Sequence, residues 1–188
     1  MTRRLLRLLR RLHRHRGGAN ALEFALVALP LFTIVIGFFE FALLTVTAAV
    51  LESAALEAAR FGATGEVPEN MSREERMFEI VEDRTFGLID MDALEIETLI
   101  YNQFDVIGEP EGFTDQNGNG QWDDGEPFQD VNGNGTWDQD QGQAGLGGAD
   151  DIVVYRMDYP WQPYTGLMIP FTDEIVLSSS IPVRNEPF

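Results

Sequence analysis

The chain has 188 residues, no cysteine, and a formal net charge of −18 that results from 31 acidic and 13 basic residues. All the basic residues are arginines, and seven of them lie in residues 3–16, so the remainder of the chain is strongly acidic. This balance excludes a nucleic-acid-binding protein, which needs a basic surface, and the lack of cysteine excludes disulfide bonds. Both histidines also lie in residues 3–16 and the remainder carries no catalytic motif, so we predict that the protein is not an enzyme.

The N-terminal part of the chain predicts a membrane-spanning helix preceded by a basic leader. After the arginine-rich residues 1–18, an apolar run extends from Phe24 to Leu51 and contains one acid, Glu40. About 20 apolar residues suffice to span a bilayer, and the basic flank predicts a cytoplasmic N-terminus with the rest of the chain exported. An alanine-rich continuation extends the predicted helix over 19–65. Two alternatives remain, a conventional cleaved signal peptide and a single-pass anchor that is not processed.

The junction between leader and helix, R-G-G-A-N-A-L-E-F at residues 16–24, resembles the processing site of type IV prepilins. The segments A-L-E-F-A-L-V-A-L-P-L-F and A-A-L-E-A-A-R-F-G-A, with the C-terminal S-I-P-V-R-N-E-P-F, resemble the TadE-like pseudopilins of tight-adherence (Flp) pilus systems. The resemblance implies cleavage by a prepilin peptidase between Gly18 and Ala19. It also implies that the Glu23 carboxylate neutralises the new α-amino group within the apolar zone. The candidate processing residues are Gly17, Gly18, Ala19 and Glu23.

Beyond the helix, the chain predicts a small exported domain. Ser72 as N-cap and Glu75 three residues later form a capping-box pattern, which predicts a helix over 72–86. Alternating apolar and polar residues predict strands over 93–101, 151–159 and 174–183. The predicted fold class is therefore α+β: a long transmembrane helix, then a short helix and an antiparallel sheet of about three strands, built from residues 66–107 and 151–188.

Residues 108–150 form an acidic insert that contains a repeat. F-T-D-Q-N-G-N-G-Q-W-D and F-Q-D-V-N-G-N-G-T-W-D align at an offset of 15 residues. The first fits a 12-residue calcium loop, with oxygen ligands at positions 1, 3, 5, 7, 9 and 12 and glycine at position 6, and the second follows the same pattern through position 9. We therefore predict one Ca²⁺ ion in each loop. The predicted ligands are Asp115, Asn117, Asn119, the backbone carbonyl of Gln121, Asp123 and Glu126 in the first loop, and Asp130, Asn132, Asn134, the backbone carbonyl of Thr136 and Asp138 in the second.

The second loop departs from this pattern at its closing position. Position 12 is Gln141, which cannot bind as a bidentate anion, and the neighbouring Asp140 is the candidate substitute. The repeat resembles the EF-hand-like loops of dockerins and thrombospondin type 3 repeats, but the flanking helices of an EF-hand are absent, which implies a structural ion. Two metal-free alternatives remain open, a pair of Asn-Gly turns and a disordered acidic segment.

Together these features predict a membrane-anchored TadE-like pseudopilin or minor pilin that takes part in assembling a tight-adherence (type IVb) pilus and is stabilised by calcium. The resemblance implies a single-pass protein of the bacterial inner membrane, with its C-terminal domain in the periplasm, outside the cell or in the pilus. Its implied partners are membrane lipid, the prepilin peptidase, other pilin subunits and the assembly machinery. The alternative is a single-pass, membrane-anchored calcium-binding adhesion or interaction module that is not part of a pilus.

Overall fold

The computed structural model describes residues 17–165 and 174–187. The chain divides into two compact units, which are Met1–Leu44 with Gln162–Asp173 and Thr45–Trp161 with Glu174–Phe188. Apart from its last two glycines, the predicted leader lies outside the described residues.

The first helix, α1, spans Gly17–Ala63 and confirms the prediction of a long N-terminal helix. Among the described residues it is the one helix that is long and apolar enough, by length and composition, to cross a membrane. Most of its large apolar side chains in the first unit are exposed: Phe24, Leu29 and Phe38, for example, are 70%, 75% and 70% exposed. A helix that is apolar around most of its circumference requires apolar surroundings. This part of α1 is therefore consistent with a single-pass membrane anchor.

The second unit contains a short helix and a four-stranded antiparallel sheet. Helix α2, Arg73–Thr85, begins with the predicted capping box. The backbone N–H of Glu75 donates to the Ser72 hydroxyl at 3.1 Å, and the N–H of Ser72 donates to the Glu75 carboxylate at 2.7 Å. The strands are β1 (Glu95–Tyr101), β2 (Gln143–Ala144), β3 (Ile152–Trp161) and β4 (Ile175–Arg184), and their order across the sheet is β2-β1-β3-β4.

The expectation of about three strands is wrong by one. The three long strands lie close to their predicted ranges and pair as antiparallel neighbours, β1 with β3 and β3 with β4. The additional strand, β2, follows the calcium-loop repeat and pairs with β1 through Leu99 and Ala144. Because β2 has only two residues and both flanking residues are glycines, it has no apolar alternation that a sequence pattern could detect.

One face of α1 packs in the main core of the second unit. Four alanines of α1, at positions 54, 55, 58 and 59, are fully buried in one cluster with the side chains of Tyr155 and Met157 on β3. Small side chains allow a helix to lie close to a sheet, and at Gly62 the approach is so close that a Cβ atom would overlap the Tyr155 hydroxyl. A smaller cluster, which contains Leu99 and Val154, occupies the opposite face of the sheet.

Hydrogen bonds from Glu186 and Arg73 hold the C-terminal end of α1 in the second unit. The backbone N–H of Glu186 donates to the carbonyl of Ala63 at 2.8 Å, and the Arg73 guanidinium donates to the carbonyl of Gly62 at 2.6 Å. These bonds satisfy carbonyl groups that have no partner within the helix. The side chain of Asn185 is buried and donates to two carbonyls of the segment between β2 and β3, at 3.0 and 2.9 Å. The R-N-E-P ending therefore has a structural role.

Candidate functional site

The four predicted processing residues lie at the start of the described part of α1. Gly17, Gly18, Ala19 and Glu23 are all helical, and the Ala19 and Glu23 side chains are exposed. Residues four positions apart share one face of a helix. The Glu23 carboxylate therefore lies about one turn from the residue that would become the N-terminus after cleavage.

Glu40, the second acid of the apolar run, is buried within the first unit. It is 2% exposed, and its carboxylate accepts hydrogen bonds from the backbone N–H and the hydroxyl of Thr165, at 2.8 and 2.6 Å. A carboxylate in apolar surroundings requires such partners. The two residues lie 125 positions apart, so no local pattern pointed to this contact.

The first loop is organised around Asp115. Its two carboxylate oxygens accept backbone N–H bonds from Gly118 at 2.6 Å and Gly120 at 2.8 Å. These bonds, that of Gly120 foremost, hold the pKa of Asp115 below its usual value. Both glycines have positive φ angles, 76° and 77°, which other residues rarely adopt. The N-G-N-G pattern thus wraps main-chain donors around an ionised carboxylate.

The other predicted side-chain ligands of the first loop lie inside the same turn. The side-chain amides of Asn117 and Asn119 donate to one carboxylate oxygen of Asp123, at 2.6 and 2.7 Å. Glu126 is 8% exposed, and its carboxylate accepts the backbone N–H groups of Gln116 at 2.7 Å and of Asp123 at 3.1 Å. Glu126 therefore closes the loop by bonding its second and ninth positions.

The second loop repeats this arrangement. The Asp130 carboxylate accepts two glycine N–H groups at 2.7 and 3.0 Å, and the amides of Asn132 and Asn134 donate to Asp138 at 2.8 and 2.6 Å. The residues predicted to bind through their backbone carbonyls are also placed equivalently. The N–H groups of Gln121 and Thr136 each donate at 2.7 Å to the asparagine two residues earlier.

The acid that closes the second loop lies outside the predicted ligand set. Glu111, which precedes both loops, accepts the N–H groups of Val131 at 2.6 Å and of Asp138 at 3.2 Å. Gln141, at the nominal twelfth position, instead donates its side-chain amide to the carbonyl of Glu109 at 3.4 Å. A signal was present: extending the repeat alignment two residues upstream matches E-G-F at 111–113 with E-P-F at 126–128.

Aromatic residues join the two repeats. Trp122 and Trp137 are stacked, with ring centroids 5.2 Å apart and ring planes 10° apart. Each tryptophan also makes an edge-on contact with the phenylalanine of the other repeat, Trp122 with Phe128 and Trp137 with Phe113. The two phenylalanines form an antiparallel backbone bridge. Each repeat therefore contacts the other through equivalent residues, as in a pair related by approximate twofold symmetry.

Asp140 attaches the insert to the sheet instead of closing the second loop. Its carboxylate accepts the Tyr101 hydroxyl at 2.7 Å and pairs with Arg156 at 3.1 Å. Arg156 also pairs with Glu97 at 3.0 Å, so it bridges β1 and the insert. Burial and the bond to Asp140 raise the pKa of Tyr101 above its usual range, which keeps the hydroxyl protonated as a donor.

The described residues contain no group of three or more His, Cys, Asp or Glu side chains arranged to hold a metal ion. In each loop, two amide nitrogens lie against the carboxylate at position 9. The predicted ligands are thus brought together within each loop, with hydrogen bonds linking them. Their carboxylate, amide and carbonyl oxygens are donors of the kind that Ca²⁺ uses.

Comparison with known proteins finds a similarity that lies in α1. A family model described as TadE-like protein matches residues 18–60, less than a quarter of the chain. No curated protein and no solved structure matches the chain. The matched segment includes Gly18, Ala19, Glu23 and Glu40, and it ends three residues before the end of α1. The similarity supports the predicted relation to TadE-like proteins of Tad pilus systems.

Proposed function

We propose that the protein is a TadE-like pseudopilin or minor pilin that takes part in assembling a tight-adherence pilus, with a structural and not a catalytic role. One observation carries this proposal: the TadE-like similarity, over residues 18–60, lies in the same helix, α1, that exposes an apolar surface. In a membrane this surface contacts lipid. In an assembly it packs against the helices of other subunits, by the close contacts that drive helix association in lipid.

We further propose that a prepilin peptidase removes residues 1–18 and leaves Ala19 as the N-terminus. The new α-amino group then lies at the edge of the apolar run. An isolated charge in the membrane is costly, about 2.5–3.5 kcal/mol at the centre of a spanning helix on insertion scales and less towards its end. Glu23, exposed about one turn away, neutralises this charge in its own subunit or in a neighbouring one.

The intact mass of the protein from native membranes tests the processing step. We expect a mature N-terminus at Ala19. Gly18→Val places a branched side chain next to the cleaved bond and should block cleavage, whereas Leu12→Val, within the leader but outside the junction, should leave it largely unchanged. An N-terminus at Met1, or a cut near Ala49, would refute prepilin-type processing.

Substitution of Glu23 discriminates between the pilin and the alternative of a membrane-anchored calcium module. Glu23→Leu keeps the helix apolar and should still reach the membrane, but it removes the partner of the α-amino group, so surface pili should be lost. Asn20→Leu, an exposed and uncharged position on the same helix, is the matched control and should retain pili. An anchor without a role in assembly would tolerate both variants, in which case no function would depend on Glu23.

We also propose that Ca²⁺ binds the two loops and stabilises the insert. Residues 109–140 contain nine carboxylates and no basic residue, and their mutual repulsion is relieved by a bound cation. In the first loop, the side-chain oxygens of Asn117 and Asn119 each accept one backbone N–H, which leaves a second lone pair for an ion. Binding requires the amide NH₂ groups to move away from Asp123. Extracellular sites of this type have dissociation constants of about 10⁻⁴–10⁻³ M.

Limited proteolysis and near-ultraviolet circular dichroism of the full chain in detergent test this proposal. Ca²⁺ at about 5 mM, above the expected dissociation constant, should protect residues 108–150 and strengthen the signal of the tryptophan stack, and a chelator should reverse both effects. The double variant Asp115→Ala/Asp130→Ala should lose the response. Asp105→Ala, outside the loops, should keep it. If calcium and chelator leave the wild type unchanged, the proposal of a structural ion is wrong.

A further inference from the structure

When the two repeats are counted from their aligned glutamates, Glu111 and Glu126, each repeat supplies the acid that closes the loop of the other. Glu126 follows the first loop and bonds the backbone N–H groups of its positions 2 and 9, at 2.7 and 3.1 Å. Glu111 bonds positions 2 and 9 of the second loop, at 2.6 and 3.2 Å. The tryptophans follow the same exchange, since Trp122 donates to the carbonyl of Glu126 at 3.3 Å and Trp137 to that of Glu111 at 2.8 Å.

We infer that Glu111 is the closing ligand of a second Ca²⁺ site, whose other ligands come from residues 130–138. This inference rests on the proposed calcium binding and deepens it. Both glutamates precede a phenylalanine by two residues, and each accepts the backbone N–H groups of positions 2 and 9 of the loop that it closes. The second loop therefore does not lack its bidentate acid, because that acid is supplied from a position 30 residues before the nominal one.

The Glu111 carboxylate is buried without a basic side chain beside it among the described residues. The residue is 1% exposed, and no ion pair joins it or Glu126 to a basic side chain among the residues that the structure describes. Main-chain N–H groups stabilise this carboxylate in part, and a cation would offset the remaining cost of removing its charge from water. No arginine lies within residues 109–140, so a metal ion is the partner that this segment can accept.

The two residues that otherwise compete for this role have other contacts. Asp140 bonds Tyr101 and Arg156 on the sheet. Gln141 donates to the carbonyl of Glu109 and carries no charge. Neither residue bonds the backbone of the second loop at the positions where Glu111 does.

Exchange of the closing acids makes the two sites interdependent. An ion in the second loop holds Glu111, and Glu111 leads through Phe113 into the first loop, while Glu126 leads in the same way into the second. Binding at either site therefore orders a segment that the other site uses. We expect positive cooperativity between the two ions. The first ion bears the entropy cost of ordering segments that both sites use, so the second ion binds without that cost.

Calcium titration of the full chain in detergent, by isothermal calorimetry with terbium luminescence excited through tryptophan, tests the assignment. The wild type should bind two ions. Glu111→Gln should weaken one of them by about tenfold or more, since it removes a charged, bidentate ligand. Glu109→Gln removes a nearby acid outside the site and should leave both affinities within about twofold of the wild type.

Gln141→Glu provides a test that does not depend on the folding of the Glu111 variant. If the second loop closed through its twelfth position, this substitution would supply the missing acid and strengthen binding by about tenfold or more. Closure by Glu111 leaves the affinity unchanged. Two ions bound with wild-type affinity in Glu111→Gln, or strengthened binding in Gln141→Glu, would overturn the assignment of Glu111 and leave calcium binding intact. No ion bound to the wild type would overturn calcium binding itself.

Discussion

Replacement of Gly62 by alanine measures how closely α1 is packed in the second unit. Gly62 is the last residue but one of α1, and a Cβ atom placed there overlaps the hydroxyl of Tyr155 and lies 2.6 Å from Cζ of the same ring. Tyr155 is fully buried on β3, so its ring cannot move into solvent. The added methyl group must therefore displace the helix or the strand.

Two opposing effects determine the size of the change. Overpacking of a well-packed core costs about 1–3 kcal/mol, whereas alanine is favoured over glycine by up to about 1 kcal/mol inside a helix. Because Gly62 lies in the last turn of α1, the second effect is only partly realised. We expect a net loss of about 1–2 kcal/mol in the free energy of unfolding, or roughly 3–8 °C in Tm for a unit of this size.

A double-mutant cycle with Tyr155→Phe isolates the contact. The Tyr155 hydroxyl is buried and has no hydrogen-bond partner among the described residues, so its removal alone should change stability little. The double variant should recover part of the loss, because the nearest atom to the new methyl group is gone while Cζ remains. Urea denaturation of the full chain in detergent, followed by circular dichroism, gives the four midpoints. Wild-type stability of Gly62→Ala, or a loss that Tyr155→Phe leaves unchanged, would refute the reasoning.

Three further predictions concern single side chains and use the same denaturation assay. Ser72→Ala removes the capping acceptor of α2 and should cost about 1 kcal/mol, whereas Ser72→Asp, which retains an acceptor, should cost much less. Asn185→Ala leaves two carbonyls without their donor and should cost about 2 kcal/mol, while Asn70→Ala, at an exposed position, should have no measurable effect. Burial raises the pKa of Tyr155 from 10.0 to about 12, so the stability that its neutral form contributes should be complete below pH 10 and lost between pH 10 and 12, and Tyr155→Phe should lack this loss.

Elements with a regular pattern could be predicted from the sequence. The apolar run and its alanine-rich continuation predicted α1, and the Ser72–Glu75 pair predicted the start of α2. The three long strands lie within a few residues of their predicted ranges because alternation identifies a strand with one buried face. The TadE-like resemblance was drawn from motifs at both ends of the chain, and the family model matches the N-terminal one, at residues 18–60.

Contacts between distant parts of the chain could not be predicted in the same way. Leu99 and Tyr101 are buried against Val106 and Ile107, at the end of the 3₁₀ segment Phe104–Val106, a contact that the alternation along β1 does not reveal. The bond between Glu40 and Thr165 depends on the return of the chain to the first unit. In each case the decisive partner is set by tertiary structure, which local propensity does not encode.

The acidic insert shows how a long segment is accommodated between two paired strands. Residues 102–151 connect β1 to its neighbour β3, where a short hairpin loop would suffice. Closing a long loop costs entropy that grows slowly with length. The contacts that stabilise the insert lie mostly within the repeat, in the tryptophan stack and in the bonds of Glu111 and Glu126. Asp140 joins the insert to the sheet through Arg156. Loss of a cation should therefore disorder the repeat while the sheet and α1 keep their core, because the main cluster takes only Leu146 from the insert and no residue of either loop.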